Sequence, residues 1–170
     1  LLDEPTAYID LAHKLATMDI IVRRAAAGLA VLHERLTGLA RTLKARYGLA
    51  CEVVYVDDGS KDRTVVNLWE AARGDPRASI IELTKNFGQT AAMAVAFERA
   101  RGRVVVPMDG DLQNDPGDIG RLIKMLAEGY EVGSGWRKDR KDAWTRVFVS
   151  KIANAVISRV SGVRLHDYGC

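Results

Sequence analysis

The sequence predicts an α/β fold in which a mostly parallel sheet is flanked by helices. Two observations carry that reading. Short apolar runs of strand length alternate with segments whose apolar residues recur every three to four positions, the pattern of strand–helix–strand units joined by right-handed crossovers. Two of those runs end in paired acids, Asp57-Asp58 and Asp109-Gly110-Asp111. An open α/β sheet holds its ligands there, outside the carboxyl ends of its strands.

The bulk numbers agree with one ordinary globular domain: 170 residues, 48% hydrophobic and 28% charged, long enough for a real core. The net charge of +3 implies no general attraction to nucleic acid. Cys51 and Cys170 make no disulfide framework, so a reducing compartment is expected. No stretch approaches the roughly 18 apolar residues of a membrane span, and no secretory signal is visible. The chain opens on Leu1 and closes on Asp167-Tyr168-Gly169-Cys170, which reads as a fragment of a longer protein.

In chain order, Asp19-Ile20-Ile21-Val22 can form a first strand. Leu29, Leu32, Leu36, Leu39, Ala40 and Leu43 lie on one helical face, with Gly48 as the stop and Lys44 and Arg46 suited to the last turn. Glu52–Val56 is the next strand and ends in Asp57-Asp58-Gly59-Ser60. Val65, Leu68, Trp69 and Ala72 give a short amphipathic helix that Asp62 or Thr64 can cap, and Gly74-Asp75-Pro76 breaks it. Ser79–Leu83 is a strand and Lys85–Gln89 a loop. An Ala-rich helix from Thr90 to Ala100 follows, its small residues fitting it closely to a sheet. Val104–Met108 is a buried strand, and Ile119, Leu122, Ile123 and Leu126 form a helix ended by Gly129. Tyr130–Ser134 is expected to be a strand.

The acids after Met108 are the sharpest chemical signal. Asp109 and Asp111, with the amide oxygen of Gln113, offer hard oxygen ligands for Mg²⁺ or Mn²⁺. The same residues also suit a plain polar turn after a core strand. Further on, Arg137, Lys138, Arg140, Lys141, Arg146 and Lys151 face only two acids and are flanked by Trp136 and Trp144. That is either a solvated loop or a basic surface for anionic lipid or phosphate. The apolar stripe Val149, Ile152, Val156, Val160 behind it would make the chain prone to a homo-oligomer or to membrane-surface binding.

Two resemblances follow. Leu1-Leu2-Asp3-Glu4-Pro5-Thr6, with Asp10 beyond, resembles the Walker B and D-loop region of ABC-transporter ATPases. There Asp3 would hold Mg²⁺, Glu4 would polarise water, and His33 stands where a switch histidine is sought. The phosphate loop that would cradle a triphosphate is missing, so ATPase activity is not expected. Residues 1–28 are therefore an atypical N-terminal segment, with one catalytic domain from 29 to 170.

Val56-Asp57-Asp58-Gly59-Ser60-Lys61-Asp62-Arg63-Thr64, Asn86-Phe87-Gly88-Gln89 and Met108-Asp109-Gly110-Asp111-Leu112-Gln113-Asn114-Asp115-Pro116 together resemble family 2 glycosyltransferases in order and spacing. The closing Gly162–Cys170 is similar to the branch that acts on polyprenyl and dolichyl phosphates. The resemblance implies a GT-A fold, a nucleotide-sugar donor linked to UDP or GDP, and inverting transfer to a polyprenyl phosphate. It implies a cytoplasmic location at the inner face of the membrane. Asp57, Asp58, Gly59, Ser60 and Asn86 would bind the nucleotide; Asp109, Asp111 and Gln113 would hold the metal; Arg137 would reach the phosphates. Where that family carries Pro-x-Tyr-Asn-Glu, this chain has Arg23-Arg24-Ala25-Ala26-Ala27-Gly28, which leaves a non-catalytic nucleotide-sugar-binding module as an alternative.

Overall fold

The structure is a computed structural model of the chain, and it describes residues 17–23 and 28–135. The elements run β1 (Thr17–Arg23), α1 (Leu29–Tyr47), β2 (Ala50–Asp57), α2 (Thr64–Ala71), β3 (Ala78–Glu82), α3 (Gln89–Arg99), β4 (Val104–Asp109), a 3₁₀ turn (Pro116–Asp118) and α4 (Ile119–Ala127). The four strands form one parallel sheet in the order β3-β2-β1-β4. Two compact units divide the chain after Gly120; the sheet lies wholly in the first.

Burial follows from that order. β1 and β2 are central, so both faces are covered. Met18, Ile20, Ile21 and Val22 in β1 and Val53 to Val56 in β2 are all buried, as expected of strands flanked by helices on each side. Alternate side chains point to opposite faces. Ile21, Val54 and Val56 pack on α3 through Ala92 and Ala96, the two alanines of that helix with no exposed surface. Tyr55 points the other way and meets His33 of α1. α1 ends on Gly48 at φ +67, whose N–H donates to the Lys44 carbonyl, the left-handed stop expected of glycine there.

Connectivity sets the ligand end of the sheet. β1, β2 and β3 are laid down in sequence through α1 and α2, and the chain then returns through α3 to pair β4 with the other edge of β1. The direction of winding therefore reverses between β1 and β4, the crevice where such sheets bind ligands.

Two expectations are corrected. Tyr130–Ser134 is irregular rather than a strand; Tyr130 and Val132 are 58% and 77% exposed. A strand needs a ladder partner, and none pairs with this stretch among the described residues. Trp69 is 58% exposed rather than part of the buried face of α2, which Thr64, Leu68 and Ala72 supply instead. Among the described residues no helix is long and apolar enough to cross a membrane. The basic stretch and the apolar stripe behind it, Arg137 included, lie outside the described residues.

Candidate active site

Two acidic loops leave the carboxyl ends of the strands on either side of β1. The register places Arg23, the last residue of β1, beside Val56 on one side and Asp109 on the other.

The loop after β2 is folded inward. Asp57 is buried, and its carboxylate accepts from the Ser60 N–H at 2.8 Å and from the Ser60 hydroxyl, satisfying a charge that could not otherwise be buried. Asp58 reaches across to the loop after β3. Its Oδ1 accepts from the Phe87 N–H at 2.8 Å and its Oδ2 from the Gly88 N–H at 3.0 Å. Gly59, at φ +69, lies so close to that loop that a Cβ would stand 2.5 Å from the Lys85 carbonyl carbon and 2.7 Å from the Asn86 nitrogen. Only glycine permits this approach. Asp57, Asp58, Gly59, Ser60 and Asn86 are thus brought into one assembly, with Asn86 on its exposed surface. Asp62 accepts from the Thr64 N–H at 2.9 Å; hydrogen bonds from the Thr64 side chain and backbone hold its carboxyl below the usual range.

The loop after β4 is turned outward. Asp109 is half-buried and Asp111 and Gln113 are exposed. The Gln113 N–H donates to Asp111 Oδ1 at 3.0 Å, closing a tight turn over Leu112. Asp115 accepts from the Gly117 N–H at 2.8 Å and from Arg35 of α1 at 2.7 Å, and Pro116 behind it is buried. Two carboxylates one residue apart on such a turn fit a hard cation. Among the described residues no three His, Cys, Asp or Glu side chains converge on a metal-sized site.

A third cluster was not legible as a unit in the sequence. His33 Nδ1 and the Tyr55 hydroxyl are 2.8 Å apart. His33 Nε2 lies 3.5 Å from Asp75 Oδ2, and the Arg77 guanidinium grips both Asp75 oxygens at 2.8 Å. That fork holds the Asp75 carboxyl at about 2. Burial lowers the His33 pKa and raises that of Tyr55. A groove of about 590 Å³ beside the cluster is lined by Thr37, Arg41, Arg73 and Arg77, among others, and by none of the acids of the two loops. The cluster ties α1 to the turn before β3.

With fold and loops in place, the class is defined by comparison. Residues 28–166 match the profile of glycosyl transferase family 2, and the chain belongs to that family. Among curated relatives, it is 48% identical over 122 residues to a dodecaprenyl-phosphate galacturonate synthase of Rhizobium johnstonii, covering 70% of this chain and 36% of that protein. It is 40% identical over 157 residues to an undecaprenyl-phosphate 4-deoxy-4-formamido-L-arabinose transferase of Pseudomonas paraeruginosa, covering 92% of this chain and 45% of the relative. The chain thus spans less than half the length of these relatives. The crystal structure of glucosyl-3-phosphoglycerate synthase from Mycobacterium tuberculosis, in complex with Mn²⁺, UDP and phosphoglyceric acid, aligns at a TM-score of 0.66. It is 16% identical and covers 94% of this chain and 54% of that one. The GT-A fold expected from the motifs is the fold observed.

Proposed function

We propose that this domain transfers a sugar from a nucleotide-sugar to a polyprenyl phosphate, with inversion at the anomeric carbon. The observation that carries the reading is the Asp109-Gly110-Asp111 turn at the reversal point of a family 2 sheet. The identity to two polyprenyl-phosphate sugar transferases supports the acceptor. In the reaction the acceptor phosphate oxygen forms a bond to the anomeric carbon as the bond to the donor diphosphate breaks, releasing a nucleoside diphosphate.

Asp109 and Asp111, with Gln113 beside them, would hold Mg²⁺ or Mn²⁺; when bound, the ion neutralises charge developing on the departing diphosphate. Asp57 and Ser60 shape the nucleotide side of the crevice, and Asp58 holds Asn86 and the start of α3 against it. Arg137 supplies a fork for phosphate oxygens. The acceptor, a phosphate monoester with a second pKa of about 6, is already largely dianionic near neutral pH, so no side chain must deprotonate it. The membrane surface that carries the lipid, on its cytoplasmic face, is where this domain works.

Calorimetry with UDP and GDP tests the donor side: binding should require Mn²⁺ or Mg²⁺ and vanish in Asp111→Asn. Transfer of labelled sugar from UDP- or GDP-linked donors into undecaprenyl phosphate tests the acceptor side. Metal-dependent nucleotide binding with no label transferred would leave a donor-binding module in place of an enzyme. Unchanged binding in Asp111→Asn would remove the metal assignment.

A further inference from the structure

Leu112 stands between two residues of the outward loop and is the one non-glycine residue with positive φ among the described residues, at +63°. Left-handed backbone is unfavourable for a side chain like leucine, which crowds the neighbouring carbonyl and offers no polar atom to bond the backbone in return. Such a conformation persists where its surroundings impose it, and it clusters at functional sites.

Two contacts impose it here. The hydrogen bond from Gln113 N–H to Asp111 Oδ1 spans the residue from both sides. The Leu112 side chain then fills a notch at the start of α1: a Cβ at Gly28 would lie 2.7 Å from Leu112 Cδ1. Gly28, at φ +110, is itself the residue that opens α1. The Arg35–Asp115 ion pair tethers the far end of the same loop to the same helix. The acidic turn is therefore docked on α1 at two points, and the nearer runs through Leu112.

We propose that Leu112 is a positioning residue, which seats in the Gly28 notch and so fixes the aim of Asp111 and Gln113 toward the divalent cation. The proposal rests on the metal reading given above. It separates cleanly from a mere contribution to stability, because glycine at position 112 accepts φ +63 without strain yet has no side chain to seat.

The test is Mn²⁺ titration of the unliganded chain by EPR, alongside thermal melts. Leu112→Gly should weaken Mn²⁺ affinity about tenfold, the low end of what loss of a ligand-orienting partner costs, with little change in Tm. Leu112→Met, which still reaches the notch, should restore most of the affinity. Gly28→Ala places a methyl 2.7 Å from Leu112 Cδ1 and should reproduce the loss of affinity, together with a lower Tm, because alanine is strained at φ +110. Wild-type affinity in Leu112→Gly, equal loss in Leu112→Met, or an unfolded Leu112→Gly would each overturn the proposal. Asp111→Asn separates the two readings. If it abolishes Mn²⁺ binding while Leu112→Gly keeps it, only the positioning role fails. If it leaves binding untouched, the metal reading fails and takes this inference with it.

Discussion

The two acidic loops carry the same signal, a pair of aspartates at the end of a buried strand, yet the fold treats Asp57 and Asp58 in the opposite way to Asp111. After β2, Asp57 and Asp58 accept four hydrogen bonds, two from Ser60 and two from the backbone of the loop after β3. After β4, Asp111 accepts one, from its own turn, and faces solvent. A carboxylate whose oxygens are satisfied internally builds the wall of a crevice. One left at the surface, on a turn anchored elsewhere, keeps its oxygens for a ligand. The difference separates carboxylates that hold two loops together from one whose oxygens stay open to solvent.

The sharpest way to break this contrast is Gly59→Ala. Its new Cβ would overlap the backbone at Lys85 and Asn86 in a left-handed conformation, so the two loops must part. A loss of about 3 kcal/mol in urea unfolding is expected; a neutral result would mean the loops do not touch. Asp58→Ala should cost less, about 1–2 kcal/mol. It orphans the N–H groups of Phe87 and Gly88, but Phe87 is exposed and water can replace part of what is lost. A smaller effect tests the third cluster by pH. The Arg77 fork holds Asp75 at about 2, below an unfolded value of about 3.9. This contribution is present above the unfolded value and is lost as pH falls toward 2, by about 1 kcal/mol between pH 5 and 3. His33 adds to the same slope higher up: burial favours its neutral ring, so stability declines as pH falls below about 6.5. Asp75→Asn should flatten the limb below pH 4, and an unchanged limb would detach the cluster from stability. The smallest effect belongs to Asp111→Asn, which should stay within about 0.5 kcal/mol of wild type. A larger loss would place Asp111 among the wall residues.

The order of the elements was legible because periodicity reports burial, and the first strand, the four helices and the turns at Gly48 and Gly129 stand where apolar spacing places them. Tyr130–Ser134 was not, since β-like composition cannot reveal the lack of a pairing partner. The acids were legible as a pair of clusters, but not their division of labour. Asp58 is read only by knowing that Phe87 and Gly88 return to it across about thirty residues. The same holds for His33, Asp75 and Arg77, and for Gly28 and Leu112, joined by tertiary contact rather than by spacing. A glycine just before a helix was the one available hint of the notch.

The strand order also bears on how the molecule comes into being. β1, β2 and β3 join neighbours through single crossovers, whereas β4 must find β1 from the far side of everything laid down between them. Loop closure over that span makes β4 the slowest strand to recruit. On that order the turn carrying Asp109 and Asp111 takes shape last, after the other three strands stand. Pulse-labelled hydrogen exchange should find amides of β4 protected after those of β1 and β2, and simultaneous protection would show that the sheet closes in one step.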